Sequence, residues 1–416
     1  MFTLSSHLND GARSSGEIRR AAGVSRDTIA RAYSRERASI IRLGHARATR
    51  YAVRKTHPGL NTDTFPVFRV DERGALHADG QLITLAADQS ALIPADILLD
   101  GLPPEIADAA PSGFLGRSYA MRHGDLGLPK NPSDWSDHHI LLAISRRGED
   151  LPGHLIVGAK SFDRYQALKH QSVSTRDFAV LAEKALAGEH AGSSAGGEQP
   201  KFTAFVDGVH RIVKFATDAT DNGRRWQDLL LLEHLALETL RGAGIAAAAT
   251  AIVDLPGLRC LVVDRFDRIG EHGRRGVMSL AAAGAEINRS WSDSAVALYE
   301  KGRIDQNSAR QIAFLDAYGA LIANTDRHPY NVLLTNDNQQ TDLAPAFDQL
   351  PMAYAPPASG NIRNMAINRP RPSISTLPVW EKATALALSF WRQAGDLTLS
   401  APMSAIAREH VRQLRV

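Results

Sequence analysis

Apolar positions near the N-terminus repeat at helical spacing, then give way to strand-like runs. Ile18, Ala21 and Ala22 share one helix face, and Ile29, Ala32 and Tyr33 share another. Ser14 stands three residues before Glu17, the spacing of a capping box, and Ser25 can cap a second helix. Gly23 between them permits the left-handed backbone of a tight helix exit. The pattern predicts helix, short turn, helix. Residues 40–44 and 48–53 then predict two strands around a basic turn. The sum is a winged helix-turn-helix unit. His57-Pro58-Gly59 interrupts the pattern. Beyond it, 65–70, 81–85 and 139–144 predict strands between Gly and Pro turns, giving a small mixed α/β subdomain over 58–150. Later stretches predict a strand at 210–215 and a strongly apolar helix at 229–237.

Charge sharpens the first boundary. The chain has 416 residues with 48 Lys+Arg against 45 Asp+Glu. Residues 1–57 carry 12 basic and 4 acidic side chains, a net of +8, and the remainder is −5. A strongly basic module joined to a mildly acidic body points to nucleic acid as the partner of the module. On the second helix, Ser25, Arg26, Thr28, Arg31 and Arg35 are the candidate DNA contacts, with Arg47 and Arg50 (and Arg42 and Arg54) on the hairpin placed for phosphates. The single cysteine, Cys260, excludes an internal disulfide and reads as a buried strand thiol. The N-terminus has no basic head followed by an apolar run, and no apolar stretch approaches the ~20 residues of a membrane helix. A soluble cytoplasmic protein is the expectation. Trp226, Trp291, Trp380 and Trp391 read as core, and the histidines lack zinc-ligand spacing.

The chemistry lies past residue 190. Gly192 to Gly197 is a Gly/Ser loop whose N–H groups can cradle phosphates, although Glu198 stands where a Walker lysine would. Lys214 lies on the strand that follows, and Glu233 is a lone carboxylate inside the apolar helix, costly unless paired; Lys214 is its candidate partner. Asp326 and Asn331 have the D-x-x-x-x-N spacing of a kinase catalytic loop. Asp348 follows a strand, 17 residues past Asn331, where a second metal-binding carboxylate would sit. Any one of these arises by chance. Their order is that of a protein-kinase-like phosphotransferase.

The motifs Ser194-x-x-Gly197-x-Gln199-x-Lys201, Val263-Asp264-Arg265-Phe266-Asp267-Arg268, Asn324-Thr325-Asp326-Arg327-His328-x-x-Asn331 and Phe347-Asp348 resemble the HipA family of bacterial serine/threonine-protein kinases, toxins of toxin–antitoxin systems. The resemblance covers about 60–416, and the fused N-terminal module resembles the YjjJ (HipH) branch. It implies an α+β, two-lobed kinase-like fold, with a kinase N-lobe over 151–262 and a mostly helical C-lobe over 263–416. It implies ATP and Mg²⁺ as cofactors. Gly196, Gly197, Glu198, Gln199 and Lys201 would form the loop over the nucleotide. Lys214 would bind phosphate, oriented by Glu233, and Asp264, Arg265 and Phe266 would meet the adenine. Asp326 would be the catalytic base. His328 and Asn331 would contact phosphate and metal, Asn331 and Asp348 holding Mg²⁺, and Ser194 would be autophosphorylated, with Ser193 beside it as the rival site. A translation factor such as an aminoacyl-tRNA synthetase is the implied protein substrate. Pro329-Tyr330 and Glu198 depart from the family pattern. The same residues are compatible with two alternatives: a DNA-binding transcription regulator whose kinase-like body binds nucleotide without transfer, and a metal-dependent nuclease using Asp326 and Asp348. A palindrome-reading module would make the protein a homodimer.

Overall fold

The computed structural model describes residues 2–187, 199–337, 340–356 and 369–415. The chain opens with strand β1 (Arg13–Ser14) and helices α1 (Ser15–Ala22) and α2 (Arg26–Glu36). The capping box forms as the sequence predicts. Glu17 N–H donates to Ser14 Oγ at 3.2 Å, and Ser14 N–H donates to the Glu17 carboxylate at 2.7 Å. Gly23 ends α1 at φ 65°, and Ser25 Oγ accepts from Thr28 N–H at 3.2 Å. Strands β2 (Ile40–Leu43) and β3 (Arg50–Val53) pair antiparallel, with β1 on the far side of β3.

The β2–β3 hairpin is buried on both faces. Ile40 and Tyr51 join the helix core of Ile18, Ile29 and Ala32. Ile41, Leu43 and Ala52 pack instead against Ile83, Leu85 and Ala91 of the next unit. Strand alternation therefore explains the adjacent apolar pairs Ile40-Ile41 and Tyr51-Ala52. Backbone bonds continue across the junction: Lys55 N–H donates to Thr84 O at 2.9 Å and Ala86 N–H to Val53 O at 2.8 Å. Arg54 is tied to Asp63 at 3.2 Å, which turns it away from the role of phosphate contact that the basic hairpin suggested.

The middle unit is a five-stranded antiparallel sheet of order β7-β6-β5-β4-β8. Its strands are β4 (Thr64–Val70), β5 (Leu76–Thr84), β6 (Gln89–Ile93), β7 (Ile97–Asp100) and β8 (Leu155–Val157). Helices α3 (Pro104–Asp108), α4 (Gly113–Arg122) and α5 (Asp137–Arg147) lie between β7 and β8, and α6 (Ala159–Gln166) follows. Residues 139–144 are helical within α5, not the expected strand. A short apolar run has no period to read, and here Ser136 N–H donates to His139 Nδ1 at 3.1 Å to start a helix. Because β8 pairs with β4, this unit runs past the expected boundary at 150, through α6.

After α7 (Phe178–Ala187) comes a four-stranded antiparallel sheet of order β11-β12-β10-β9, built from β9 (Lys201–Val206), β10 (Val209–Thr217), β11 (Thr250–Leu255) and β12 (Leu258–Asp264). Helix α8 (Asp221–Gly242) joins β10 to β11 and is buried on two sides. Leu230 packs on the sheet with Ala216 and Leu261, while Leu229, Leu232 and Leu237 enter the core of the C-terminal half. Cys260 faces the opposite side of the sheet, where burial and then Asp254 push its thiol up to about 12. The C-terminal half begins with a two-stranded turn, β13 (Arg268–Ile269) and β14 (Gly273–Arg274). A three-stranded sheet follows, of β15 (Val277–Ser279), β16 (Leu333–Asp337) and β17 (Gln340–Leu343). Helices α9 (Trp291–Glu300), α10 (Gln306–Leu321), α11 (Trp380–Ala394) and α12 (Ala401–Leu414) close the core around Trp291, Tyr318, Phe390 and Trp391. Among the described residues no helix is long and apolar enough to cross a membrane.

Two buried histidines make the fold acid-sensitive. His410 stacks on Trp391 at 4.0 Å and meets Tyr354 Oη at 2.6 Å; burial lowers its pKa to about 4. Burial, then the Arg69 charge, lowers His154 to about 4 as well. The unfolded chain binds these protons near pH 6.5. The stabilisation is therefore complete above about pH 6.5 and falls as pH drops toward 4. Urea midpoints should decline over that window, and His410→Phe should flatten the decline.

Candidate functional site

Lys214 is placed by strand alternation. Val213 and Phe215 point into the outer core, so Lys214 shares the α8 side with Ala216. Glu233 lies on the same face of α8 as Leu230, and its carboxylate meets Lys214 Nζ at 2.6 Å. Lys214 also donates to Asp348, and its side chain is 8% exposed. Burial works against the ammonium, but Asp348 and Glu233 outweigh it and raise the Lys214 pKa. Burial likewise opposes the Asp348 charge, and Lys214 and Lys201 overcome it to hold that pKa low. Glu233 is raised by burial, with Lys214 acting against the shift. Lys201 is the cross-strand partner of Lys214, so both lysines stand on one face of the sheet.

The Asp326 loop follows α10. Asn324 is fully buried and bridges the two acidic positions: its Oδ1 accepts from Asp326 N–H at 3.0 Å and its Nδ2 donates to Asp348 O at 3.2 Å. Asn331 Nδ2 donates to Asp326 O at 2.9 Å. The Asp326 carboxylate is half exposed, with His328 Nε2 3.7 Å away. Beneath the loop, buried Asp316 of α10 accepts from Arg327 Nε at 3.0 Å and from Ser292 N–H and Oγ at 3.1 and 2.7 Å. Arg327 also donates to Asn324 O. A Cβ on Gly319 would lie 2.8 Å from Arg327 Cδ, so the helix needs glycine there. Asp348 holds a left-handed φ of 51° between Phe347, which packs on Phe266, and Gln349.

The sequence-predicted residues divide accordingly. Lys201, Lys214, Glu233, Asp326, His328, Asn331 and Asp348 belong to this constellation. Gln199 is buried and donates to Phe215 O, one residue from Lys214. Asp264 accepts from Arg211 Nε at 2.9 Å, and its own N–H donates to Ala249 O. The Arg265 guanidinium is turned into a buried cluster, meeting Asp267 at 3.0 and 2.8 Å. Beside it Arg268 reaches Asp150 at 3.1 Å, joining the segment after β12 to the middle unit. Ser193, Ser194, Gly196, Gly197 and Glu198 lie outside the described residues. In the N-terminal unit Ser25, Arg26, Arg31, Arg35, Arg47 and Arg50 are exposed, and Thr28 is half-buried against the Ser25 hydroxyl at 3.0 Å. Arg35 donates to Phe2 O at 2.8 Å.

Neither motif nor spacing assigns a role to Asp316, Arg327, Ser292 or Asn324. Asp316 carried the same signal as Glu233, a single carboxylate within the apolar run Phe314-Leu315-Asp316-Ala317-Tyr318. The donor set fits Mg²⁺ and a nucleotide. Asp348 and Asn331 offer hard oxygens, two lysines share a face, and Glu233 Oε2 is buried without a partner.

The fold has a counterpart among solved structures. The structure resembles HipA of Shewanella oneidensis MR-1, solved with HipB and operator DNA, with a TM-score of 0.52 at 14% identity over 84% of this chain and 95% of that one. Residues 193–415 match the family model of the HipA-like C-terminal domain, and 61–166 match the middle domain of YjjJ-like toxins. The whole chain is 33% identical to Toxin YjjJ of Escherichia coli (strain K12), 98% of which is covered. The chain belongs to the HipA-like family. Within it, the chain is a YjjJ-like member.

Asp316→Ala removes the acceptor of Ser292 N–H and Oγ and of Arg327 Nε, leaving Arg327 only its bond to Asn324 O. Leaving buried hydrogen-bond donors without their acceptor costs about 1–3 kcal/mol, so denaturant unfolding should shift by that order. Arg327→Ala should cost less in that background than alone, because its pair with Asp316 is already gone and only its bond to Asn324 O remains to be lost.

Proposed function

We propose that the chain is an ATP- and Mg²⁺-dependent protein serine/threonine kinase of the toxin type, carrying its own DNA-binding unit. The observation that carries the reading is Lys214, held in one buried site by Glu233 and Asp348 beside the Asn324-fastened Asp326 loop. Membership of a family that includes Toxin YjjJ supports it.

In this mechanism Lys214 and Lys201 offer their ammonium groups to the nucleotide phosphates, and Glu233 fixes the direction of Lys214. Asp348 and the amide oxygen of Asn331 hold the metal. Mg²⁺-ATP, when bound, supplies the transferable phosphoryl group and the charge that neutralises it. Asp326 is exposed enough to meet a substrate hydroxyl and accepts its proton at the carboxylate. Asn324 and Asn331 keep the Asp326 backbone still while it does so. Ser194 is the proposed autophosphorylation site, where about −1.5 to −2 of added charge would oppose nucleotide phosphates. The exposed arginines of α2 and the hairpin are the proposed contacts to DNA phosphates and base edges.

Labelled ATP with Mg²⁺ should transfer phosphate to the chain or to an added translation factor, and Asp326→Ala should lower the rate by about 10²–10⁴. Transfer indifferent to Asp326→Ala would overturn the reading. Mg²⁺-dependent DNA cleavage lost in that variant would favour a nuclease. DNA affinity should fall with salt, and Arg26→Ala with Arg31→Ala should reduce the log–log slope by about 2. A slope that does not change would remove these two residues from the interface.

A further inference from the structure

The middle unit holds a cavity of about 350 Å³ that the kinase reading does not use. Four cations line it: Arg146 and Arg147 from the last turn of α5, and Lys160 and Arg164 from α6. The one carboxylate in the wall, Asp125, is already bound by Arg147 at 3.0 Å. Glu149 stands behind the wall, 3.6 Å from Arg164. Arg146 gives one N–H to Gly59 O at 2.8 Å, a neutral acceptor. Even with both carboxylates counted, two positive charges remain uncompensated.

Helix dipoles do not explain all four. Arg146 and Arg147 suit the negative end of α5, as basic residues at a helix C-terminus do. Lys160 is in the first turn of α6, where the dipole disfavours a cation, and it has no ion-pair partner among the described residues. Gly158 precedes it and gives the helix no side-chain cap. Such a residue gains from a bound anion. Guanidinium groups supply planar paired donors for phosphate, and Lys160 supplies a point charge. Leu126 and Leu142 complete the wall with apolar surface. The volume is that of a small-ligand site, open to solvent on the side of the exposed Lys160 and Arg164 and large enough for more than one phosphate group.

We propose that this cavity binds a small phosphorylated ligand bearing at least two negative charges, seated between α5 and α6 and held by Lys160 and Arg164 from one side and Arg146 and Arg147 from the other. The site is separate from the nucleotide constellation around Lys214 and stands or falls independently of the kinase reading.

Pyrophosphate is the probe, titrated by calorimetry into the full chain and into Lys160→Ala/Arg164→Ala. Both side chains are exposed, and an unchanged thermal melt will show that the variant folds. The expected result is binding to the wild type that weakens at least about tenfold in the double variant and is retained in Lys160→Arg/Arg164→Lys. No binding to the wild type, or equal affinity in both proteins, would overturn the proposal. A parallel titration with duplex DNA separates the two sources of phosphate. If DNA affinity falls in the double variant while pyrophosphate binding does not, the cations serve a nucleic-acid backbone and the small-ligand site is wrong.

Discussion

An ammonium group sealed from water is tolerated only where opposite charge is fixed beside it. Lys214 is such a group, and the two carboxylates that hold it come from positions 19 and 134 residues further along the chain. The pair with Glu233 requires α8 to lie against the sheet. The contact with Asp348 requires the C-terminal half to dock against the N-terminal lobe. Each demand is met by apolar packing that converges on one helix. Leu230 secures α8 to the sheet, and Leu229, Leu232 and Leu237 secure it to the C-terminal core. The site is thus the junction at which two cores meet, and disturbing either core strands a buried charge.

A second fastening operates within the C-terminal half. Asn324 connects the Asp326 loop to the Asp348 turn by two hydrogen bonds, so the two acidic residues move together. Asp316 and Arg327 support Asn324 from below, and Gly319 makes room for the arginine. Asp348 itself accepts a left-handed backbone, a conformation that costs of order 1 kcal/mol outside glycine and that packing of Phe347 on Phe266 helps to sustain. Preorganisation here rests on buried polar contacts, which specify one arrangement when every partner is present.

Much of this was readable in the sequence, for identifiable reasons. Ser14, Glu17, Gly23 and Ser25 carry local instructions for helix ends, and those formed at the predicted places. Glu233 betrayed itself as a carboxylate in an apolar helix. Residues 139–144 mislead because five apolar residues after His139 fit a buried helix as well as a strand, and only the cap at Ser136 and the packing decide. Arg265 was matched by motif to the nucleotide, but its side chain is committed to Asp267, a partner two residues away whose orientation no spacing rule reveals. The Asp150–Arg268 contact joins positions 118 residues apart and left no local trace. What remained illegible was of that kind: polar pairing decided by tertiary contact.

The doubly buried β2–β3 hairpin bears on how the two halves of the chain communicate. Domains joined by a polar tether reorient freely, and a shift in one is averaged away before it reaches the other. Here the joint is itself core, with Ile40 and Ile41 facing different units from successive positions of one strand. The α1–α2 unit and the middle sheet therefore rotate as one lever. Any tilt of the sheet is carried to α2 without loss, so the orientation of that exposed basic helix becomes a gauge of the state of the body.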